Sequence, residues 1–310
     1  MDAAFYFGWE AELIILIQSV LGPAGILAMS FMTLFGEETV LIILLGYLYW
    51  GRDKELGERL CVSLLTACTA CPVIKNIFLR LRPYFVIDEI RCLDPAGKGD
   101  IYDVVLQGYS FPSAHTASAV AAYGTVAENS SNRIIRFVLT VLTAGVGVSR
   151  FSLGVHYPTD VIAGAVIGLI ALAIGKLVSE RADRGLTYCL LMLVCSPGLF
   201  ICRTEDFFTC YGIMCGVLSG MLFERDHISF GSTDSILVTA ARLLCGTAVF
   251  AFVVNILKIP VNLMAGSVNE RALLWYRSFR YAAASFVTVG LCPYVFGHLD
   301  RIFRKTEQFG

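Results

Sequence analysis

Charged residues are scarce in this chain of 310 residues, where Asp, Glu, Lys and Arg together make up only 16% of the composition. Soluble domains contain about 25% charged and about 45–50% apolar residues. In this sequence 56% of the residues are hydrophobic, and the mean hydropathy is +0.70. This composition excludes an ordinary soluble domain and predicts an all-α polytopic membrane protein.

Two further features are missing from the sequence. It has no long run of Lys or Arg and its net charge is -1, so no nucleic-acid partner is expected. It also has no cluster of carboxylates and no His/Cys spacing of the kind that binds a metal ion. We therefore expect neither a metal nor an organic cofactor.

The sequence instead contains long apolar segments, and a helix needs about 20 apolar residues to cross a bilayer. The candidate spans lie roughly at 11–35, 37–50, 57–80, 112–128, 133–152, 158–179, 186–202, 206–223, 235–257 and 278–297. Gly22-Pro23 breaks the first, which suggests as an alternative an interfacial helix followed by a shorter span. The first six spans predict a core over residues 1–182, and about four extra helices of unknown role fill 183–310.

Lys and Arg residues favour the cytoplasmic ends of spans. In the first six segments, the residues that indicate that side are Arg52, Lys54, Arg59, Arg133, Arg136, Lys176, Arg181 and Arg184. We therefore expect a plasma-membrane protein with both termini in the cytoplasm. The three polar clusters considered next are expected on the extracytoplasmic face.

Small residues recur at four-residue spacing in two of the predicted spans. They are Gly164 and Gly168 in one span and Gly212, Gly216 and Gly220 in another. Such spacing lets helix backbones approach closely. Packing within the chain is the favoured interpretation, and a homodimer interface is the alternative.

The first polar cluster contains Lys75, Arg82 and Pro83. Seven residues of helix make almost two turns, so the spacing predicts that Lys75 and Arg82 lie on one helix face and reach a common anion. Pro83 is expected to end the span, because it disfavours helix at the residue before it. Arg80 is expected to extend toward lipid headgroups instead.

The second cluster is Pro112-Ser113-Ala114-His115. Proline is favoured at the first helical position, which predicts that the next three residues form the first turn. Backbone N–H groups in a first turn lack intrahelical partners and suit an anion, and the Ser113 hydroxyl adds a donor. An ordinary helix cap is the alternative.

The third cluster contains Ser149, Arg150, His156, Pro158 and Asp160. Pro158 is predicted to begin a helix, with His156 just before it and Asp160 in its first turn. A carboxylate there can accept a hydrogen bond from one imidazole nitrogen and leave the other as a nucleophile. The fork of Arg150 suits phosphate oxygens. A helix cap beside a structural histidine is the alternative.

In order and spacing, the three clusters resemble the signature of the type 2 phosphatidic acid phosphatase superfamily, K-x6-RP, PSGH and SR-x5-H-x3-D. The matching residues are Lys75…Arg82-Pro83, Pro112-Ser113-Ala114-His115 and Ser149-Arg150…His156…Asp160. Ala114 replaces the usual glycine and keeps the backbone N–H. The signature covers residues 75–160, and the six-helix layout extends the resemblance to about 10–180.

The resemblance implies a metal-independent phosphatase that acts on a membrane lipid through a phosphohistidine. By this resemblance His156 attacks phosphorus, Asp160 orients His156, and His115 protonates the leaving alcohol. The groups that it implies for phosphate binding are Lys75, Arg82, Ser113, the N–H of Ala114, and Arg150. Candidate substrates are undecaprenyl diphosphate, phosphatidic acid, phosphatidylglycerol phosphate and sphingoid-base phosphates.

Other functions stay open at this point. The same intermediate could serve a lipid phosphotransferase or a phosphatase for soluble sugar phosphates, whereas the membrane core disfavours haloperoxidase chemistry. A transporter or an inactive scaffold is a more distant alternative, because neither needs His115, His156 and Asp160 together.

Overall fold

The computed structural model of the protein describes residues 5–94, 100–181, 183–260 and 269–297, and the regular elements in these ranges are helices. The longer helices are α1 (Gly8–Val20), α2 (Pro23–Leu34), α3 (Glu38–Tyr47), α4 (Lys54–Phe78), α7 (Ala114–Asn129), α8 (Arg133–Ser152), α9 (Pro158–Ser179), α10 (Arg184–Cys195), α12 (Glu205–His227), α13 (Ile236–Ile256) and α14 (Glu270–Phe286). Single-turn helices are α5 (Pro83–Val86), α6 (Val104–Gln107) and α11 (Gly198–Ile201).

Six helical segments in the described part of the chain are long and apolar enough to cross a membrane: α4 with α5, α8, α9, α10 with α11, α12 and α13. A seventh is present if α2 and the helix that follows it, bent by 43°, count as one span. Two of the ten predicted segments, 112–128 and 278–297, are not among these candidates. Helix α7 has 16 residues, and the segment 278–297 changes after Phe286 into a π turn and a 3₁₀ turn. The protein is an all-α, multi-pass membrane bundle, as predicted.

The predicted span 11–35 is two helices, because the chain breaks at Gly22-Pro23. Helix α1 has 13 residues and is about 20 Å long, whereas the hydrocarbon core of a bilayer is about 30 Å thick. On its own, α1 is therefore too short to cross.

The chain forms two compact units. The first contains Met1–Ile42 and Ala70–Ile174, and the second contains Ile43–Thr69 and Gly175–Gly310. All three polar clusters lie in the first unit. The division into a core over 1–182 and an addition over 183–310 stays a prediction.

In the second unit, α12 packs along α14 through its glycine face. A β-carbon on Gly212 or Gly216 would overlap the carbonyl oxygen of Ser278 or Ala282, so the two backbones are in direct contact. This face serves packing within the chain, which is the favoured interpretation; homodimerisation stays a prediction. The buried Glu224 carboxylate pairs with Lys54 at 2.6 Å in the same unit.

In the first unit, Gly164 brings the start of α9 against the backbone of Ser113. Ser113 is the N-cap of α7, and its hydroxyl oxygen accepts from the N–H of Thr116. The expectation that Pro112 begins this helix was therefore wrong by two residues, because the serine side chain caps the helix. Pro158 does begin α9, as predicted.

The end of α4 differs from the prediction. The helix stops at Phe78, and Leu79 follows with a φ of 50°, a left-handed conformation that cannot continue an α-helix. Lys75 therefore lies in the last turn, while Arg82 lies outside the helix as the N-cap of α5. The two residues do not share a helix face.

Helix α1 lies against the end of the first unit where α8 ends and α9 begins. The Gln18 side chain donates to the carbonyl of Arg91 at 2.8 Å and to that of Ser152 at 3.4 Å, and the carbonyl of Phe5 accepts from Nε of Arg80 at 2.9 Å. The described start of the chain thus lies at the end that carries the polar clusters. Because α1 lies at that end, the structure does not support the predicted placement of the N-terminus and these clusters on opposite sides of the membrane; the sides themselves stay predictions. The C-terminal residues 298–310 lie outside the described residues.

Candidate active site

Backbone hydrogen bonds join the three polar clusters at one end of the first unit. The N–H of Ser113, at the start of α7, donates to the carbonyl of Asp160 in α9 at 3.0 Å, and the N–H of Ser110 donates to the carbonyl of Arg80 at 2.7 Å. Residues far apart in sequence therefore meet where α4 and α8 end and where α7 and α9 begin.

His156 lies in the loop between α8 and α9, with Asp160 in the first turn of α9, as predicted. Nδ1 of His156 is 3.5 Å from Oδ2 of Asp160, and both side chains are buried. The same carboxylate accepts from the backbone N–H of Tyr157 at 2.7 Å and from the Ser110 hydroxyl. These bonds hold the carboxylate near Nδ1 of His156, which has no hydrogen-bond partner in the structure; a hydrogen bond between the two would set the tautomer of a nucleophilic histidine.

Burial lowers the pKa of His156 well below its usual value, and four neighbouring groups lower it further. In decreasing order these are Arg82, Arg150, Lys75 and His115. Each disfavours a protonated imidazole because each brings positive charge close to it. The catalytic and phosphate-binding candidates from all three clusters therefore surround His156, which is held neutral.

Arg80 is the main site residue that sequence reasoning placed incorrectly. It is 2% exposed, and its Nη1 donates to Asp160 at 2.6 Å while its Nη2 donates to Glu10 at 2.8 Å. Its guanidinium also lies 4.0 Å from the ring centroid of Tyr157. Arg80 thus does not extend to lipid headgroups. It neutralises two buried carboxylates that would otherwise be very costly in this environment.

Glu10 of α1 completes this network. Its carboxylate accepts from the hydroxyl and the backbone N–H of Thr159, at 2.6 and 3.1 Å. The sequence gives one usable signal for it, a carboxylate at the start of an apolar stretch. No local sequence pattern indicates its partner Arg80, which lies 70 residues further along the chain.

A cavity of about 250 Å³ lies within this site. The arginines, carboxylates and histidine that line it are Arg82, Arg150, Glu37, Glu38, Asp94 and His115. Arg82 donates to the carbonyls of Gly108 and Gln107 at 3.1 and 2.5 Å, which holds its guanidinium at the cavity wall. The cavity therefore combines cationic groups for an anion with three carboxylates that the sequence analysis did not include.

Two of these carboxylates contact predicted site residues. Nε2 of His115 is 3.0 Å from Oε1 of Glu37, and Nη1 of Arg150 is 3.1 Å from Oδ2 of Asp94. Arg150 also donates to the Thr33 hydroxyl. Burial and the Arg150 charge lower the pKa of His115 to about 4, while Glu37 opposes that shift and favours the protonated form that a general acid requires.

The other predicted site residues, His156 and Asp160 included, do not line this cavity. Ser113 is fully buried, and its hydroxyl oxygen accepts from the Thr116 hydroxyl at 3.0 Å. Ala114 is the first residue of α7, so its N–H has no partner within the helix. Lys75, in the last turn of α4, acts on His156 through its charge.

Gly154 shapes the loop that carries His156. Its φ is 78°, a conformation that L side chains rarely adopt. A β-carbon at this position would meet the carbonyl oxygen of Arg91 and the Gln18 amide. The loop is anchored at its other side by the backbone N–H of His156, which donates to the carbonyl of Arg150 at 3.3 Å.

Within the described ranges, no group of three or more His, Cys, Asp or Glu side chains has the geometry of a metal site. The arrangement as it stands can hold an anion beside a neutral imidazole, with a second histidine within reach of a carboxylate.

Comparison with known proteins identifies two family matches along the chain. Residues 58–184 match the PAP2 superfamily, and residues 208–304 match the transmembrane extension of PAP2 superfamily phosphatases. Together the matches cover most of the chain and include all three polar clusters.

Individual relatives are more distant. The chain is 29% identical to an undecaprenyl-diphosphatase of Sulfolobus acidocaldarius over 45% of its own length and 64% of the relative. It is 25% identical to a probable sphingosine-1-phosphate phosphatase of Dictyostelium discoideum over 77% of its own length and 55% of the relative. The chain thus spans less than two thirds of each of these relatives. Among solved structures, Aquifex aeolicus LpxE is 25% identical with a TM-score of 0.47, over 55% of this chain and 96% of LpxE.

Proposed function

Since the chain belongs to the PAP2 superfamily, we propose that it is a membrane-embedded phosphatase that hydrolyses a lipid phosphate or diphosphate through a phosphohistidine on His156. One observation carries the proposal: a buried, neutral His156 lies beside Asp160 and is surrounded by the charges of Arg82, Arg150 and Lys75. The relatives named above act, by their names, on lipid diphosphates and phosphates.

In the first step, Nε2 of His156 attacks phosphorus while the bond from phosphorus to the leaving oxygen breaks. Asp160 stabilises the imidazole through Nδ1 as the ring takes on positive charge. His115 gives its proton to the leaving oxygen, so that the lipid departs as an alcohol, or as a monophosphate if the substrate is a diphosphate. In the second step, His115 takes a proton from water, whose oxygen attacks phosphorus and releases phosphate from His156.

The phosphoryl group is held by cations and by backbone donors. Phosphoryl transfer is catalysed mainly by positioning and by neutralising charge. Arg82, Arg150 and Lys75 supply that charge, and the N–H of Ala114 together with the Ser113 hydroxyl supplies donors at the start of α7. With these groups the reaction requires no metal ion.

The active site faces the extracytoplasmic side in this proposal. Helix α4 begins at Lys54 and ends at the site, α8 begins at Arg133 and ends there, and α9 begins there and ends near Lys176. Positive residues thus mark the far ends of three helices, as expected for the cytoplasmic side of the plasma membrane. The amino-terminal segment then shares the extracytoplasmic side with the site.

The proposal is tested with the detergent-purified protein in EDTA. Phosphate release is followed from undecaprenyl diphosphate, phosphatidic acid, phosphatidylglycerol phosphate, sphingosine-1-phosphate and glucose-6-phosphate. We expect release from a lipid substrate, loss of release in His156→Ala, and full release in the control His227→Ala, which changes an exposed histidine on α12.

The intermediate is tested by quenching the enzyme with phosphorus-labelled substrate. Label bound to the protein should survive alkali and be lost in acid, because the bond is a phosphoramidate, and it should be absent from His156→Ala. Release that persists in His156→Ala, or that requires an added metal ion, would contradict the proposal.

A further inference from the structure

A long apolar groove of about 400 Å³ lies along α7, α8 and α9 of the first unit. On α8 its lining residues follow a repeat of three and four residues from Leu139 to Phe151, which places them on one face of that helix. The lining residues Val120 and Tyr123 of α7 are half-buried and buried, and they form its floor. Ala144 on α8 and Leu169 on α9 are exposed beside it. The groove is therefore open along the surface that α8 and α9 present to the membrane.

The groove offers hydrocarbon to a ligand, although four of its lining residues carry hydroxyl groups. Thr140 and Thr143 donate to backbone carbonyls one turn earlier on α8, at 2.9 and 2.8 Å. Tyr123 donates to a backbone carbonyl at 2.6 Å, and Thr116 donates to a serine hydroxyl at 3.0 Å. Because each hydroxyl proton is already bonded within the protein, the groove suits a hydrocarbon chain better than a polar ligand.

The length of the groove matches one acyl chain. On α7 it runs from Thr116 to Ala127, which is about 17 Å along the helix axis. The hydrocarbon core of a bilayer is about 30 Å thick, so the chains of one leaflet extend about 15 Å. Ala127 lies in the last turn of α7, so the groove reaches the turn that joins α7 to α8.

Two arginines continue the groove at that end, which is the end far from the candidate active site. Arg136 lies three residues before the lining residue Leu139 and four before Thr140, and Arg133 lies three residues before Arg136. All of them are therefore on one face of α8. Side chains on a helix lean toward its N-terminus, so both guanidinium groups extend past the groove toward the preceding turn.

Both guanidinium groups are exposed, and neither forms an ion pair with a residue in the described ranges. The carboxylate across the turn is Glu128, in the last turn of α7. Arg133, Arg136 and Glu128 together carry one positive charge, which favours an anion at the membrane surface.

We propose that an anionic phospholipid binds here, with one acyl chain in the groove and its phosphate at Arg136 and Arg133. The planar guanidinium fork suits phosphate oxygens, and burial of the chain removes apolar surface from its surroundings. The chain packs among α7, α8 and α9, whose other ends carry His115, Arg150 and Asp160, and so stabilises their packing. This groove shares no lining residue with the active-site cavity, and the inference does not depend on the proposed reaction.

The test titrates delipidated protein in detergent with two lipids that have the same chains. Dioleoylphosphatidylglycerol is anionic, whereas dioleoylphosphatidylcholine is zwitterionic. By native mass spectrometry, we expect the Kd of the anionic lipid to be at least about five-fold lower, equivalent to about 1 kcal/mol for one arginine. The anionic lipid should also raise the melting temperature, because it binds the folded protein. Glycerol 3-phosphate, which has the charge without the chain, should do neither.

Variants at exposed positions locate the bound lipid. Arg136→Gln should raise the Kd of phosphatidylglycerol about five-fold and leave that of phosphatidylcholine unchanged, whereas the control Arg91→Gln, at the opposite end of the unit, should change neither. Ala144→Phe fills the middle of the groove and should weaken the binding of both lipids. Its control is Val141→Phe, on the same helix outside the groove, which should bind both lipids normally.

Several outcomes would overturn the inference. They are equal Kd values for the two lipids, a melting temperature raised by glycerol 3-phosphate alone, and equal lipid binding by Ala144→Phe and Val141→Phe. A lipid-free dimer that Ala144→Phe dissociates would show that a second copy of the chain covers the groove instead. A higher KM in Ala144→Phe with unchanged binding of phosphatidylglycerol would assign the groove to the chain of the substrate. The comparison of lipids on the unaltered protein does not depend on whether the variants fold.

Discussion

Nη1 of Arg80 lies 2.6 Å from Oδ1 of Asp160, and both side chains are almost completely buried. The carboxylate beside His156 is thus balanced by Arg80, a cation that the sequence analysis did not assign to the site. Arg80 in turn contacts Glu10 at 2.8 Å, so one guanidinium connects α1 to the start of α9. Arg80 and Glu10 act through Asp160, which makes them positioning residues for the proposed reaction.

Replacement of Arg80 tests this relationship. Arg80→Gln should lower kcat by about 10- to 100-fold, the usual cost of removing a partner that orients a site residue, with little change in KM. It should also destabilise the protein by about 3–5 kcal/mol, because Glu10 and Asp160 would stay buried without their counter-charge. Steady-state kinetics and thermal unfolding in detergent measure the two effects.

Arg91→Gln is the control for Arg80→Gln, since Arg91 is exposed and lies in the same part of the chain. It should match the unaltered protein in kcat and in melting temperature. If Arg80→Gln instead changed KM alone, Arg80 would be part of substrate binding and not of the positioning of Asp160.

Glu10 gives a second prediction, on how α1 is attached. Glu10→Ala removes the acceptor for Arg80 and for both donors of Thr159, so the melting temperature should fall by several degrees. Amide hydrogen exchange over residues 5–20 should become faster. Glu12→Ala changes an exposed carboxylate one turn or less away on the same helix and should alter neither quantity; equal effects of the two variants would contradict the role of Glu10.

The parts of the site that the sequence predicted are those fixed by local rules. Proline at the first position of α9 placed His156 and Asp160 correctly, because cap and first-turn geometry depends on neighbouring residues. The same local rule was wrong at Pro112, where the Ser113 side chain caps α7 instead. The prediction that Lys75 and Arg82 share one helix face was also wrong, since Leu79 leaves the helical conformation.

The parts that the sequence did not predict depend on contacts between distant segments. The pairing of Arg80 with Glu10, like that of Arg150 with Asp94, joins residues that no spacing rule relates. The first apolar segment was also hard to predict. Its length suggested one membrane span, but the structure has two helices that are separated at Gly22-Pro23.

The third prediction concerns pH and His156. Its pKa is lowered by burial and then by Arg82 and the other nearby charges, while the unfolded chain has a histidine pKa of about 6.5. Below pH 6.5 the unfolded state therefore binds a proton that the folded state does not. The neutral His156 therefore leaves the free energy of unfolding at its full value above about pH 6.5. Below that pH the free energy of unfolding decreases by up to about 1.4 kcal/mol per pH unit.

The measurement for His156 is the difference in melting temperature between the unaltered protein and His156→Gln, taken from pH 8 to pH 5. Because glutamine does not titrate, the difference should be constant above pH 6.5 and should shift in favour of the variant at lower pH. His227→Gln, at an exposed position, should show no such trend. A shift in the opposite direction would mean that the folded state binds the proton.

The last prediction concerns Gly154, whose φ of 78° aims the loop that carries His156. Gly154→Ala should cost about 1–2 kcal/mol in backbone strain, and more through overlap with the carbonyl of Arg91 and the Gln18 amide. Activity should fall further than stability, because relief of the overlap moves His156 away from Asp160.

The control is Gly185→Ala in α10, where the nearest atom to an added β-carbon is Oδ1 of Asp183 at 3.5 Å. Alanine is the better helix former there, so that variant should keep full activity and melt at the same or a slightly higher temperature. Unimpaired phosphate release by Gly154→Ala would show that the proposed reaction does not depend on this loop geometry.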